Sequence, residues 1–354
     1  MAAVFTRNHI KAAPVLLSQP RVAGGKAAAV VVNSGCANAC TGEPGMAEAE
    51  EMAVLAAKRT GVLPEDVLVA STGVIGQRLP MDRIKSAMSR ITLSRDGGHQ
   101  LARAIMTTDT VPKEAAIRVD EQFVIGGIAK GSGMIHPDLA TLLCFLTTDA
   151  TVDVDFLRDA LRRAVDISFN MVSIDGDTST NDTVLIMANG MAGTEPVSAG
   201  SPPGDMFQRA LNQVCVYLAR AIAGDGEGAT RLVEVSVTGA RNQVEARVAA
   251  RTVVNSPLVK AAIHGSDPNW GRVIAALGRC GIEVDETRIE LCFGKVCLFQ
   301  SGVALPVDRQ VAVAAMSGRE VEITVNLNMG SASATAWGCD LSEEYVTINS
   351  QYTT

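Results

Sequence analysis

A layered α/β fold, in the broad sense that includes α+β arrangements, follows from three observations on this 354-residue chain. Strand-like apolar runs and amphipathic helical stretches mix from one end to the other, which points to sheets covered by helices. Hydrophobic residues make up 47% of the chain but aromatics only 4%, with 32 glycines; small side chains suit closely packed layers. No tandem repeat or low-complexity tract divides the chain, and its length suffices for one large core or two.

The elements follow in order. Ala2 to Thr6 reads as a strand with no lead-in, so an element is expected to be missing ahead of it. Ala27 to Val32 is a short continuous apolar run, expected as a buried strand, and it enters the small polar loop Asn33–Gly42. Met46 to Arg59 reads as a helix, with Glu48, Glu50 and Glu51 early, Lys58 and Arg59 late, and Gly61 just past its end. Those charges match the helix dipole, and the glycine matches a C-terminal cap. Leu68 to Gly76 is a strand running into a glycine turn, Met81 to Ser94 an amphipathic helix, and Ile105 to Thr110 a further strand-to-loop segment. Phe123 to Ile128 leads into the turn at Lys130.

Beyond residue 141 the pattern starts afresh. Leu157, Leu161 and Val165 form a helical stripe within Val154–Val165. Ser173 to Thr183 holds too many turn formers for regular structure. Met206 to Ile222 is the clearest helix, with Phe207, Leu211, Val214, Leu218 and Ile222 on one face and Gly224 as its stop. Val233, Val235 and Val237 alternate with polar residues, as do Val321, Ile323, Val325 and Leu327; both read as half-buried strands. Residues 196–204 form the best loop.

The formal net charge is −7 and no basic run occurs, so nothing recommends a nucleic-acid partner. Every apolar stretch is interrupted too early to span a membrane, and residues 1–13 lack the layout of a signal peptide, so the expected compartment is the cytoplasm. Eight cysteines are scattered, with Cys36/Cys40 and Cys292/Cys297 as the close pairs; all are expected to be buried reduced thiols. The four histidines have no zinc-site spacing. Asp175, Asp177 and Asp182 resemble a calcium loop in spacing, but no glutamate stands at its twelfth position.

The chemistry concentrates in Lys130-Gly-Ser-Gly-Met-Ile-His-Pro-Asp-Leu-Ala140-Thr141, followed at once by an apolar run. If Thr141 Oγ attacks the Ala140 carbonyl, the chain breaks and Thr141 becomes an N-terminus whose α-amine lies beside its own hydroxyl. An unperturbed α-amine titrates near ~7.7–8, so it can serve as base at neutral pH. Threonine with an N-terminal amine is a known nucleophile–base pairing. An ordinary loop entering a core strand has the same pattern. Thr72 and Gly73 offer a hydroxyl and an unhindered N–H for an oxyanion, or a simple glycine turn; no Gly-Lys-Ser/Thr follows, which excludes a Walker phosphate loop. Lys130 is a charge-assisted donor for a carboxylate, or a solvated loop lysine. Glu227, between Gly226 and Gly228, suits either close backbone approach or an exposed helix end. Pro268 in Asp267-Pro-Asn-Trp-Gly-Arg272 suits a helix start, and Trp270 and Arg272 read as structural.

Together these segments resemble the ornithine acetyltransferase family, also called glutamate N-acetyltransferase, nearly end to end. The resemblance is carried by Asn33-Ser-Gly-Cys-Ala-Asn-Ala39, Ser71-Thr-Gly-Val-Ile-Gly76, Met106-Thr-Thr-Asp-Thr110, Lys130 to Pro137 with Ala140-Thr141, Ser173 to Asp182, Asp225 to Thr230, Asp267 to Arg272, Ala334 to Asp340 and Asn349 to Thr354. It implies an αββα sandwich similar to N-terminal-nucleophile hydrolases, and self-cleavage into an α chain (1–140) and a β chain (141–354) in an α2β2 assembly. It further implies acetyl transfer from N2-acetylornithine to glutamate through acetyl-Thr141, with no cofactor. Thr72 and Gly73 would form the oxyanion hole, and Thr107, Lys130, Thr141, Glu227, Asn349 and Thr354 the substrate contacts. Acetyl-CoA as a further donor stays open. Family members usually carry a further N-terminal segment, and its absence is expected to leave a sheet edge or core face bare. Arg231 stands where the family usually has lysine, a cation of different geometry, and Cys144 replaces a commoner small residue, with little effect expected. Two other readings remain: a related amidase or aminopeptidase with water as acceptor, and a non-catalytic binding protein with an inert Thr141.

Overall fold

A computed structural model describes residues 1–136 and 142–351. Ala140, Thr141 and Thr354 therefore lie outside the described residues. The strands are β1 (Ala2–Phe5), β2 (Ala29–Cys36), β3 (Val67–Val74), β4 (Lys113–Val119), β5 (Phe123–Lys130), β6 (Leu143–Thr148) and β7 (Val172–Ser173). They continue with β8 (Thr183–Ala188), β9 (Leu232–Ala240), β10 (Glu290–Phe293), β11 (Val296–Gln300), β12 (Val303–Ala304), β13 (Glu320–Asn326) and β14 (Ala332–Cys339). The helices are α1 (Ala13–Arg21), α2 (Gly42–Thr60), α3 (Met81–Arg90), α4 (Gly98–Ala104), α5 (Val154–Asp166) and α6 (Pro202–Gly224). After them come α7 (Gln243–Val254), α8 (Pro257–His264), α9 (Trp270–Gly278), α10 (Arg309–Ala314) and α11 (Glu343–Gln351).

The strands form a five-stranded sheet in the order β1-β8-β6-β5-β4, a seven-stranded sheet in the order β12-β11-β10-β13-β9-β14-β7, and the parallel pair β2-β3. Side-chain alternation builds the layers. On β3, Leu68 and Ala70 pack with Leu143 and Phe145 of β6 and Leu185 of β8, so the pair lies over the five-stranded sheet. Val67 and Val69 point the other way, onto Met52, Ala53 and Ala56 of α2. The opposite face of the five-stranded sheet, including Ile125, Cys144, Leu146 and Val184, joins α5 and α6 in the main core. This is the expected αββα order.

The seven-stranded sheet extends it. Helix α6 packs on β4 and β5 on one side and on β14, β9 and β7 on the other, and α7 covers β9 and β14. That double contact explains the strength of the α6 pattern: Phe207, Leu211, Val214, Leu218 and Ile222 are all buried. Each such side chain contributes about 1.5–3 kcal/mol when removed from water. Ser201 caps α6 by accepting from Gly204 N, and Pro202 follows it at the first helical position.

Several expectations need correction. Helix α3 stops at Arg90, because Ile91 is extended and its carbonyl accepts from the Arg59 guanidinium, so residues 91–94 are not helical. Residues 105–110 contain no strand; they follow α4 as a bend organised by Asp109. Cys292 and Cys297 are not reduced: they face each other across β10 and β11 and form a disulfide of 2.08 Å. Cys40 is exposed and Cys36 half-buried. Trp270 stacks on Phe299 at 5.2 Å between ring centres, and Arg272 donates to Leu258 O, so both are structural as expected. Strand β1 is the edge of its sheet, paired antiparallel to β8. Among the described residues, no helix is long and apolar enough to cross a membrane.

Candidate active site

A cleft of about 240 Å³ gathers Thr72, Gly73, Thr107, Lys130, Glu227 and Asn349. Each arrives from a different part of the fold. Thr72 and Gly73 stand at the end of β3. Gly73 has φ +126°, and a Cβ there would lie 2.2 Å from the Gly35 carbonyl carbon of β2, so glycine is required twice over. Asn181 Nδ2 donates to both Ala37 O and Ser71 O, tying the mouth of the β2-β3 pair to the segment before β8.

Lys130 ends β5 and is 3% exposed. Its ammonium donates to Thr107 Oγ1 at 2.8 Å and to Thr72 Oγ1 at 3.2 Å. An ammonium has three N–H donors, and these bonds use two of them among the described residues, which leaves one for a ligand carboxylate. Since Thr72 Oγ1 accepts from Lys130, its own hydroxyl proton is available to an oxyanion, and the neighbouring positive charge strengthens that donor. Burial pushes the Lys130 ammonium below its usual range; Asp109, at 3.8 Å, opposes this.

Asp109 organises the floor. It accepts from Gly131 N at 2.7 Å, Lys113 Nζ at 2.7 Å and Thr107 N at 3.2 Å. Burial alone would raise its carboxyl, but Lys130, Lys113 and these donors hold it below the usual carboxylate range. Lys113 also donates to Asp225 at 2.5 Å, and Asp225 accepts from Thr110 N and Oγ1.

Glu227 forms the opposite wall and is 7% exposed. Its N–H donates to Ser132 O at 2.8 Å, and Asn349 Nδ2 donates to its Oε2 at 2.8 Å. A Cβ on Gly133 would lie 2.6 Å from the Glu227 carboxylate, so the second glycine of the Gly131-Ser-Gly133 turn makes room for that side chain. Asp175 accepts from Met134 N at 2.5 Å and Ile135 N at 2.8 Å, holding Met134 at φ +54°. It is thereby engaged with backbone rather than free in the manner of a calcium-loop ligand. Burial raises the Asp175 carboxyl, and burial together with Asp175 and Glu227 raises the Tyr345 phenol well above its usual range. Tyr345 and Asn349 enter the cleft from α11. Arg231 is a structural cation: it donates to Ile263 O, Met316 O and Ser266 Oγ.

The expected cleavage bond lies outside the described residues; upstream of it Gly133 and Met134 line this cleft. Leu143 is the register partner of Lys130, and Leu142 N donates to Asp182 Oδ1 at 3.1 Å. Burial raises the Asp182 carboxyl well above its usual value, and its second oxygen has no hydrogen-bond partner among the described residues. Asp109, Lys113 and Asp225 were not singled out in sequence for this network. Three charged residues within mainly apolar or turn segments were the available signal, but their pairing depends on tertiary structure.

The ArgJ family model matches residues 1–354. The whole chain is 51% identical to the arginine biosynthesis bifunctional protein ArgJ of Dehalococcoides mccartyi (strain CBDB1), covering 88% of that protein. It is 52% identical to the protein of the same name from Symbiobacterium thermophilum, covering 89% of it. A solved structure of arginine biosynthesis bifunctional protein argJ from Bacillus halodurans shares 43% identity, with a TM-score of 0.57 over 58% of this chain and 97% of that one. The chain is therefore a member of the ArgJ family.

Proposed function

We propose that this chain is a glutamate N-acetyltransferase of arginine biosynthesis that carries acetyl from N2-acetylornithine to glutamate on Thr141. The chain first cuts itself between Ala140 and Thr141, giving the two chains 1–140 and 141–354. Thr141 Oγ then attacks the acetyl carbonyl, its proton passing to the freed α-amine. Thr72 and Gly73 stabilise the oxyanion. Collapse breaks the amide C–N bond, and the α-amine returns the proton to the departing ornithine nitrogen. The α-amine of glutamate attacks the acetyl ester; N-acetylglutamate leaves and Thr141 regains its proton. Lys130, with Thr107, holds the substrate carboxylate. Glu227, Asn349 and Thr354 contact the remainder, with Glu227 facing the cationic end of ornithine.

The observation that carries this reading is the convergence of six positions, spread from residue 72 to 349, on one cleft, in which Lys130 is the register partner of Leu143, two residues past Thr141. No cofactor enters, because the acetyl group travels on a protein hydroxyl. The reading places the enzyme in the cytoplasm as an α2β2 assembly.

The test incubates purified protein with N2-acetylornithine, with and without glutamate, and follows ornithine and N-acetylglutamate by mass spectrometry. Sustained ornithine release that needs glutamate supports the transferase. Release at the same rate with water alone would assign an amidase, and no release of ornithine would remove the reading. Acetyl-CoA in place of acetylornithine tests the second donor.

A further inference from the structure

Lys130 sits at the end of a charge chain that is almost wholly buried. Lys113 is 2% exposed, and Asp109 and Asp225 are each 8% exposed. The order is Lys130, Asp109, Lys113, Asp225, with separations of 3.8, 2.7 and 2.5 Å. Two cations alternate with two anions, so the cluster is neutral before a ligand carboxylate arrives. Buried charges persist only when paired in this way.

The chain also joins three separate parts of the cleft. Asp109 belongs to the bend that carries Thr107 and accepts from Gly131 N, next to Lys130. Asp225 stands two residues before Glu227 and holds Thr110. Ser132, whose carbonyl accepts from Glu227 N, shares a hydroxyl contact of 2.6 Å with Thr108. Among the described residues, Lys113 is the one cation that bonds to both Asp109 and Asp225. Without it, Asp109 would keep Lys130 as its ammonium partner, at a distance too long for a hydrogen bond.

We propose that Lys113 is a positioning residue for the reaction: by occupying Asp109 and Asp225 together, it leaves the Lys130 ammonium free to face the cleft and receive a substrate carboxylate. This rests on the reading of Lys130 as the carboxylate holder. If Lys113 is removed, Asp109 draws Lys130 away from Thr72 and Thr107. The groups facing Lys130 are Asp109, Lys113, Glu227 and Asp182. Lys113 disfavours its charged form, while the three carboxylates favour it.

The experiment compares Lys113→Met, the charge-balanced double variant Lys113→Met/Asp225→Asn, and Asp109→Asn with the parent. Two readouts are taken across the alkaline range. One is kcat/KM for N2-acetylornithine; the other is the ionisation of Lys130 itself, from trace competitive acylation read by peptide mass. Both Lys113 variants should titrate Lys130 about one pH unit higher, and Asp109→Asn lower. The KM for acetylornithine should rise about tenfold in the Lys113 variants as the ammonium leaves its hydroxyl partners. Should the single variant fail to fold, the double variant, which loses one charge of each sign, carries the test. A Lys130 titration unchanged from the parent would overturn the proposal. Failure of the parent reading shows separately: Lys130→Met would then leave KM unchanged, while the labelling shifts of Lys130 in the Lys113 and Asp109 variants remained.

Discussion

Gly133→Ala isolates the role of Glu227 with little else disturbed. Gly133 has no positive φ, so alanine brings no backbone strain there. The new methyl would lie 2.6 Å from Cδ, Oε1 and Oε2 of Glu227. To reach ordinary van der Waals separation the carboxylate must retreat by roughly 1 Å. Its bond from Asn349 is now 2.8 Å long, and a retreat of that size breaks or badly bends it. A hydrogen bond to a charged group contributes about 1.5–3 kcal/mol, and misplacement of a carboxylate proposed to contact substrate acts in the same direction. The expected loss in kcat/KM for N2-acetylornithine is therefore roughly 10- to 150-fold. Gly126→Ala is the control: among the described residues its Cβ would meet nothing nearer than 3.9 Å, and activity should stay near the parent. Steady-state kinetics on both variants, with thermal melts to confirm folding, make the comparison. If a folded Gly133→Ala enzyme kept kcat/KM within about threefold of the parent, the claimed dependence on Glu227 placement would be wrong.

Three further outcomes follow from the same geometry. Gly73→Ala places a methyl 2.2 Å from Gly35 at φ +126°, so it should cost at least about 2 kcal/mol of stability and most of the activity; a stable, active variant would refute the close approach of β2 and β3. Lys130→Met should raise KM for acetylornithine and for glutamate alike, each by roughly 10- to 100-fold, and an effect confined to one substrate would deny it a shared carboxylate site. Asp182→Asn should change how stability depends on pH. Burial raises the Asp182 carboxyl above its unfolded value of about 3.9, so its contribution to stability is complete below that value and fades as pH rises through the raised one. The melting-temperature advantage of the asparagine variant should then grow from about pH 4 upward; a difference that stayed constant with pH would contradict this.

The fold was legible where a single periodicity governed burial. Helix α6 was legible because Phe207, Leu211, Val214, Leu218 and Ile222 share one buried face of a helix packed on both neighbouring sheets; it runs a few residues beyond the stretch read in sequence at each end. Strands β9 and β13 were legible because their valines and isoleucine alternate with polar residues. Bends held by side-chain contacts were not. Residues 105–110 look strand-like by composition, yet Asp109 binds Thr107 N and turns the chain. The Cys292–Cys297 bridge depends on the β10-β11 register, which spacing alone does not fix. The cleft residues were legible through their resemblance to family motifs. Lys113 and Asp225 escaped because their meaning lies in contact across 112 positions of sequence.

The first measurement to make is the intact mass of the purified protein under denaturing conditions, before and after brief exposure to N2-acetylornithine without glutamate. The self-cleaving threonine mechanism predicts two fragments, one ending at Ala140 and one beginning at Thr141. After exposure, only the second should gain an acetyl group, lost again when glutamate is added. A single uncut chain, or an acetyl group that maps to the first fragment, would contradict Thr141 as the nucleophile.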